Sequence, residues 1–151
     1  MELLGGEAIA AALSGLVYEK KQLGEFSLDL TVREVRRFID HGSVDFGGSE
    51  IQAAPTEPLP PLKRSPTDKY GWWDLHRGFY QVVFNEKPAS ENDLFGLILP
   101  ARRLTDAGAY HAPAFINGPE IPPVILVAGD SGVNIKENAR ISTLIIFADK
   151  D

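Results

Sequence analysis

Short runs of β-branched and aromatic residues, each followed by turn residues, constrain the fold of this sequence more than any other feature. Such runs predict β-strands, and the glycine, proline and asparagine residues between them predict short connections. Short strands at this spacing favour a β-sandwich, a jelly roll or a barrel. The predicted strands span residues 26–30, 79–84, 94–99, 109–116, 124–127, 133–135 and 140–147.

Only short helices fit between these strands. Residues 7–13 are rich in alanine and lead to Gly15, which predicts an N-terminal helix with a glycine stop. A capping-box pattern at residues 31–34 predicts a further short helix over residues 32–39. Residues 102–107 could form one helical turn. The predicted fold class is therefore mainly β, with a short N-terminal helix and one further short helix.

A proline-rich segment, residues 47–68, separates the first predicted strand from the others. Its five prolines remove backbone donors and favour extended or polyproline conformations, so we expect a loop here. A loop of this length within a compact domain is unusual and indicates a mobile or functional segment. The hydrophobic composition does not change across it, so residues 1–151 are interpreted as a single domain.

Charge and composition exclude several classes of function. The formal net charge of −6 makes general binding to nucleic acid unfavourable, because the protein repels the phosphate backbone. The absence of cysteine excludes disulfides and cysteine-ligated zinc. No stretch approaches the ~18 apolar residues of a membrane helix, and the first residues do not match a signal peptide. We therefore expect a cytoplasmic protein that does not enter a membrane.

Few residues suggest a binding site by themselves. The histidines at positions 41, 76 and 111 lack a second ligand at helical spacing, so surface or turn positions are favoured over a metal site. Arg102 and Arg103 could clamp a phosphate through their guanidinium groups, although a solvated pair on a short helix is the alternative. Trp72 and Trp73 could stack a base, but neighbouring residues in an extended chain point to opposite faces. One tryptophan is therefore predicted to pack inward and the other to cover a loop or a subunit boundary.

Six segments, in the same order along nearly the whole chain, resemble the dUTPase and dCTP deaminase family. Residues 4–15 resemble the family's N-terminal helix, and residues 26–30 (FSLDL) resemble its Ser-Val-Asp-Leu strand. Residues 114–119 (AFINGP) resemble the Ala-x-x-Asp-Pro-Gly hairpin. The remaining three segments are residues 70–80 (YGWWDL with GFY), 97–108 (LILPARRLTDAG) and 135–144 (IKENARISTL).

This resemblance implies a distorted jelly roll that assembles as a homotrimer with nucleotide sites between subunits. Family members bind deoxyuridine or deoxycytidine triphosphate with Mg²⁺, and they either hydrolyse it to the monophosphate and diphosphate or deaminate the base. A hydrolase of this kind must hold three phosphates with donors and orient one water with a carboxylate. Residues 143–147 are apolar at nearly every position, which favours a strand buried on both faces and supports the trimer.

Several polar positions depart from the family pattern. Asn117 stands in place of the aspartate that activates water in dUTPases, and an amide cannot accept a proton. Val127 lies near the position of the glutamate that dCTP deaminases require, and Thr143 replaces the glutamine of the last motif. Ala101 replaces an arginine, unless the register shifts by one residue and Arg102 becomes the phosphate arginine. These departures predict weak or lost catalysis.

The candidate site residues follow from this alignment. Asn117 takes the catalytic position in this alignment, and Asp29 is a second catalytic candidate. The carboxylates of Asp106, Glu120 and Asp130 are alternatives to Asp29 that the sequence does not rank. A protein-held metal is not expected, and Mg²⁺ would enter with the nucleotide. The predicted nucleotide-binding residues are Arg102, Arg103, Arg140 and Thr143.

Three functions remain open from the sequence. The first is a dUTPase-like protein of pyrimidine deoxynucleotide metabolism with weak or absent hydrolysis. The second is a non-catalytic trimer that serves as a binding or scaffold module on the same fold. The third is a ligand-binding jelly roll with no relation to nucleotides.

Overall fold

The computed structural model describes residues 1–149. Within this range the chain is mainly β, as predicted, and the elements are connected by turns and loops. The order of elements is β1 (Glu2–Leu3), α1 (Gly6–Ala11), β2 (Leu13–Ser14), α2 (Glu19–Gln22), β3 (Leu28–Phe38), β4 (Thr56–Pro58), β5 (Trp72–Leu75), β6 (Gly78–Phe84), β7 (Lys87–Pro88), β8 (Leu94–Pro100), α3 (Arg102–Asp106), β9 (Ala109–His111), β10 (Ala114–Gly118), β11 (Val124–Ala128), β12 (Val133–Lys136) and β13 (Arg140–Ala148).

One nine-stranded antiparallel sheet contains most of the strands. Its strands follow the order β10-β8-β13-β3-β6-β11-β9, while β1 pairs with β13 and β4 pairs with β3. Two ribbons complete the fold, β12 with β5 and β2 with β7. All described strand pairs are antiparallel. Antiparallel strands do not need the long helical crossovers of parallel sheets, and here loops connect them.

The core lies on the inner face of the sheet. Side chains alternate along these strands, so Leu28, Leu30, Leu144 and Ile146 point inward, whereas Asp29, Thr143 and Ile145 point outward. Helix α1 adds Ile9 to the same core. Further buried residues come from nearly every long strand: Val32, Val35, Val82, Phe84, Ile98, Ile116, Val124, Leu126, Val133, Ile135 and Ile141.

The helix predicted over residues 32–39 is wrong, because these residues extend strand β3. A β-bulge between Val32 and Glu34 shifts the alternation of side chains, so that Val32 and Val35 both point into the core. The bulge therefore produces the three-residue apolar spacing that resembles a helix. In the predicted capping box, the backbone N–H of Thr31 would donate to the side chain of Glu34. In the structure it donates to the carboxylate of Glu86 instead.

The other elements follow the prediction with smaller differences. The N-terminal helix and the helical turn after residue 101 are confirmed, and α2 was not anticipated. The strand predicted over residues 109–116 is two strands, β9 and β10, with Pro113 in the break between them. Five strands fall within one or two residues of their predicted bounds: those at 79–84, 94–99, 124–127, 133–135 and 140–147.

Part of the predicted proline-rich loop is a strand. Thr56–Pro58 form β4, which pairs with the last residues of β3. A proline is tolerated here because β4 is an edge strand and does not need to donate on its open side. The backbone N–H of Leu59 then donates to the Val35 carbonyl at 2.9 Å, which fixes the end of the strand.

The two adjacent tryptophans occupy different environments, as predicted. Trp73 is 3% exposed and its Nε1 donates to the Leu59 carbonyl at 2.8 Å. Trp72 points outward, where the guanidinium of Arg64 lies 3.9 Å from its ring centre. None of the helices in residues 1–149 is long and apolar enough to cross a membrane.

Candidate anion-binding site

Three of the residues predicted from sequence meet on the outer face of the sheet. The Asp29 Oδ2 atom lies 3.0 Å from Nη1 of Arg103 and 3.2 Å from Nη1 of Arg140. The three residues come from β3, from α3 and from the start of β13. We call this group the Asp29 cluster. Thr143 pairs with Asp29 across the β3–β13 ladder and so lies beside it.

Local structure explains why these side chains converge. Leu28 and Leu30 point inward on either side of Asp29, which directs the carboxylate to the outer face. The backbone N–H of Ala101 donates to the Ile141 carbonyl at 2.9 Å, which attaches the start of α3 to β13. Arg103, in the first turn of α3, is thereby held over the neighbouring strand.

Further hydrogen bonds fix the two guanidinium groups. Arg140 donates from Nη1 to the Lys21 carbonyl at 2.6 Å, and Arg103 donates from Nη1 to the Arg140 carbonyl at 3.1 Å. The cluster contains two cations and one carboxylate, so it keeps a net positive charge on an acidic protein. Each guanidinium has five N–H donors, and those not used here can bind an anion from solvent.

A small hollow of about 140 Å³ adjoins the Asp29 cluster. Arg140 forms one side of it, and Gln22, Thr31 and Asn138 add polar groups. Its other lining residues are Val17, Tyr18 and Lys21. The hollow therefore combines a guanidinium with neutral polar groups and one aromatic wall.

A buried glutamate that the sequence did not indicate lies beneath this hollow. Glu86 is 2% exposed, and its carboxylate accepts hydrogen bonds from the backbone N–H of Thr31 at 2.8 Å and from the Thr31 hydroxyl at 2.6 Å. It also accepts one from Nε2 of Gln22 at 3.0 Å. Burial raises the pKa of Glu86, and these hydrogen bonds oppose the rise. Glu86 follows β6 in a predicted turn, so its sequence position gave no signal of burial.

Arg102 lies outside the Asp29 cluster. Its side chain is 91% exposed and faces Asp106 one helical turn later, with 3.7 Å between Nε and Oδ2. The alternative of a solvated arginine on a short helix therefore holds for Arg102 but not for Arg103.

Asn117 lies in another part of the protomer. It is exposed on β10, opposite Phe95 of β8. Asn117 and Asp29 lie three strands and four residues apart in the ladder, a distance on the order of 20 Å along the sheet. The following loop, with Pro119, Glu120 and Ile121, borders a cleft of about 390 Å³ that also contacts Arg33 and Glu86.

The alternative carboxylates are also dispersed. Asp130 faces Arg77 at 3.3 Å on the surface, and Asp106 faces Arg102. Glu120 lines the 390 Å³ cleft. Residues 1–149 contain no group of three or more histidine, aspartate or glutamate residues that could hold a metal ion.

The expectation of surface positions is wrong for His111. This residue is 1% exposed, with Nε2 2.7 Å from the hydroxyl oxygen of Ser142 and Nδ1 2.9 Å from the Ala112 carbonyl. Burial lowers the pKa of His111. Nothing in the two preceding residues, Ala109 and Tyr110, predicts that the His111 side chain points into the core. His41 and His76 are exposed, as expected.

No family model matches the sequence, but individual proteins are similar to it. The chain is 28% identical over 138 residues to a probable deoxyuridine 5'-triphosphate nucleotidohydrolase of Methanosarcina mazei, covering 89% of this chain and 77% of that protein. A relative with the same description in Methanosarcina barkeri is 27% identical over 144 residues, covering 93% of this chain and 81% of that protein.

The fold is similar to a solved structure as well. The 2'-deoxycytidine 5'-triphosphate deaminase from Agrobacterium tumefaciens superposes with a TM-score of 0.63 at 15% sequence identity. The match covers 95% of this chain, which spans about half the length of that deaminase (47%). At this identity the likeness concerns the fold, and it confirms the predicted jelly-roll class.

Proposed function

We propose, from the premise that this chain is a relative of the dUTPase and dCTP deaminase family, that it binds a pyrimidine deoxynucleoside triphosphate with weak or no turnover. The observation that carries the proposal is the convergence of Arg103 and Arg140 on Asp29. We place the protein in the cytoplasm, where it would act on the nucleotide pool.

The Asp29 cluster has the chemistry that a phosphate group requires. Guanidinium groups bind phosphate oxygens through paired N–H donors, and each charge-assisted hydrogen bond contributes about 1.5–3 kcal/mol. Asp29 holds Arg103 and Arg140 close together, so their mutual repulsion does not spread them before a ligand arrives. In this proposal Thr143, which lies beside Asp29, offers a hydroxyl to the same ligand.

The same geometry limits hydrolysis. A general base must accept a proton from water, and Asn117 carries an amide that cannot do so. Asp29 could accept a proton, but its Oδ2 atom is already bound by two arginines. Neither candidate catalytic residue is therefore placed to activate water. We propose that the protein binds the nucleotide with weak or no turnover.

Magnesium would accompany the nucleotide rather than occupy a site built by the protein. The described residues offer no carboxylate cluster for a metal, and Asp29 is paired with cations. A triphosphate carries its own oxygen ligands for Mg²⁺, which shields its charge when bound. No step of the proposed binding is assigned to the metal.

We propose that the protein is a homotrimer, as the family resemblance implies. The outer face of β8, β10 and β13 carries apolar side chains, with Phe115 exposed and Leu97 and Phe147 half-buried. A second subunit is the natural cover for such a face. Since Asn117 and the Asp29 cluster lie far apart within one protomer, a complete nucleotide site would draw them from different subunits.

A non-catalytic scaffold on the same fold is the second candidate. It is favoured by the replacement of both expected catalytic groups, at Asn117 and Val127. The two candidates differ in ligand dependence, since a scaffold would keep its assembly and stability regardless of nucleotide.

Thermal unfolding against a panel of nucleotides tests the proposal. We expect dUTP or dCTP with Mg²⁺ to raise the Tm by several degrees, because a ligand at ~100 times its Kd adds about 2.7 kcal/mol of stability. The corresponding monophosphates should raise it less, since they present fewer phosphates to the Asp29 cluster. Equal and negligible shifts for all nucleotides at millimolar concentration would refute nucleotide binding and leave the scaffold.

A further inference from the structure

A hairpin arm formed by residues 39–55 extends from the main sheet. It leaves the end of β3 and returns at the start of β4, and its base is closed by the pairing of Phe38 with Thr56. Ser43 and Gln52 exchange backbone hydrogen bonds of 2.9 and 3.0 Å further along. With four residues between the base and this pair on one limb, the arm reaches up to ~15 Å from its base to the Ser43–Gln52 pair.

The tip of the arm is held in a defined conformation. Asp45 accepts hydrogen bonds from the backbone N–H groups of Gly48 at 2.9 Å and Glu50 at 3.1 Å. The Ser43 hydroxyl donates to the Glu50 carbonyl at 2.6 Å. Gly42 allows the two limbs to approach, since a Cβ atom there would lie 2.3 Å from the Gln52 carbonyl oxygen.

This ordered tip exposes three large apolar side chains. Phe46 is fully exposed, Val44 is 90% exposed and Ile51 is 56% exposed. Isolated exposed apolar residues are common, but three of them on one fixed hairpin form a contact surface. Their orientation is set by hydrogen bonds that do not involve the apolar groups themselves.

An apolar pocket of complementary size lies on the outer face of the sheet. Its volume is about 270 Å³, and all of its lining residues are apolar: Met1, Phe95, Gly96, Leu97, Phe115 and Phe147. The Phe95 ring lies edge-on to Phe115 at 5.4 Å and tilted to Phe147 at 5.9 Å. A cavity of about 150 Å³ with similar lining accepts benzene, so this pocket has room for a phenylalanine ring.

The arm of one chain cannot fill the pocket of the same chain. Strands β3 and β13 are antiparallel, with Leu28 opposite Leu144. Phe147 therefore lies beyond the first residue of β3, whereas the arm leaves from the last residue, Phe38. The two features face opposite ends of the sheet, and their contact requires a second molecule.

We propose that the arm tip of one copy, with Phe46 at its centre, inserts into the Phe95–Phe115–Phe147 pocket of a second copy. Such a contact joins two different surfaces, so it repeats head to tail and closes a ring when the rotation allows. The proposal deepens the homotrimer of the proposed function by naming both sides of a contact, and it requires only that two copies meet.

The area of this contact indicates how much it contributes. Full burial of Phe46 removes about 150–250 Å² from solvent, and the smaller Val44 and the partly exposed Ile51 add less, so the arm tip and the pocket together bury roughly 500 Å². A stable interface buries about 1,200–2,000 Å². The arm thus supplies roughly a third of an interface, and the apolar outer strands around the pocket supply the rest.

Disulfide trapping tests the contact directly, because the natural chain contains no cysteine. Chains carrying Phe46→Cys and chains carrying Leu97→Cys are mixed and mildly oxidised. We expect a cross-linked heterodimer from this pair. Phe79→Cys mixed with Leu97→Cys is the matched control, since Phe79 is 66% exposed on another part of the surface. Equal cross-linking in both mixtures, or none in either, overturns the proposal.

Light scattering gives an independent measure. Phe46→Ala should raise the dissociation constant of the assembly at least ~tenfold, as expected for a buried aromatic anchor, while Phe79→Ala should not. Phe46 is fully exposed within the protomer, so its replacement leaves the fold intact. An unchanged assembly of Phe46→Ala overturns the proposal. Nucleotide-induced thermal shifts are read separately, so loss of nucleotide binding would refute the proposed function without affecting this result.

Discussion

The Nε2 atom of His111 lies 2.7 Å from the hydroxyl oxygen of Ser142, and both side chains are buried. The Nδ1 atom faces the Ala112 carbonyl, so it carries the proton and Nε2 accepts from the serine. His111 is on β9 and Ser142 on β13, which are not paired in the sheet. Their hydrogen bond therefore joins two distant parts of the curled sheet through its interior.

This arrangement predicts that the protein loses stability in mild acid. Burial lowers the pKa of His111 below its unfolded value of about 6.5. The unfolded chain therefore takes up a proton before the folded one does. The stability contributed by neutral His111 is fully present above pH ~6.5 and is lost as the pH falls from there through the folded pKa, at up to ~1.4 kcal/mol per pH unit.

Urea unfolding between pH 8 and pH 5 measures this slope. His111→Gln keeps one donor and one acceptor but does not titrate, so the free energy of unfolding of this variant should depend less on pH. The exposed His41 and His76 remain in both proteins and cancel in the comparison. Identical slopes would show that His111 does not control the acid sensitivity.

The buried Glu86 network predicts a second effect on stability. Thr31→Val keeps the shape of the side chain but removes the hydroxyl that donates to Glu86 and accepts from Asn85. Leaving these buried groups with fewer partners should cost about 1–3 kcal/mol in the free energy of unfolding. Thr143→Val on the outer face is the matched control and should change stability by less than ~0.5 kcal/mol. Equal effects of the two substitutions would contradict this assignment.

The Asp29 cluster predicts which arginine matters for nucleotide binding. Arg103→Ala and Arg140→Ala should each weaken binding of dUTP or dCTP about 10- to 100-fold, since each removes charge-assisted hydrogen bonds. Arg102→Ala should have little effect, because Arg102 is exposed and paired with Asp106. Isothermal titration calorimetry measures all three. A larger loss with Arg102→Ala would instead support the shifted sequence register, in which Arg102 binds the phosphate.

The proposed weak or absent turnover predicts negligible hydrolysis of dUTP by the natural protein. A placed general base contributes about 10²- to 10⁴-fold, and Asn117 cannot supply it. Asn117→Asp alone should recover only a small part of this factor, while Asn117→Asp with Thr143→Gln should recover more. Ala101→Arg is not combined with them, because Ala101 is 6% exposed and an arginine there would have to bury its charge.

Release of diphosphate with Mg²⁺ is the measurement for these variants. Asn117→Ala serves as the control for the loss of any polar group at this position. Turnover of dUTP by the natural protein at the ~1 s⁻¹ or faster typical of enzymes would contradict the prediction. In that case Glu120, in the cleft beside the β10 loop, becomes the first carboxylate to replace.

Local sequence patterns predicted most of the strands but not the bulge in β3. Runs rich in β-branched and aromatic residues, such as those of β6 and β13, predicted the strand bounds within two residues. The bulge in β3 could not be seen, because the apolar spacing of Val32 and Val35 has the same period as a helix. Only the hydrogen bonds of β3 to β6 and β13 decide between the two, and these partners are distant in sequence.

The sequence by itself determined the mainly β class, the net negative charge, the absence of thiol chemistry and the family resemblance, because each of these depends on composition or on local order. Tertiary structure decided which polar residues act together. Arg103 joins Asp29 and its neighbour Arg102 does not, because the turn of α3 directs consecutive side chains about 100° apart. Likewise, the pairing of β9 with β11 turns His111 inward, and Glu86, in the turn after β6, is buried against Thr31 and Gln22, so neither burial could be predicted from local sequence.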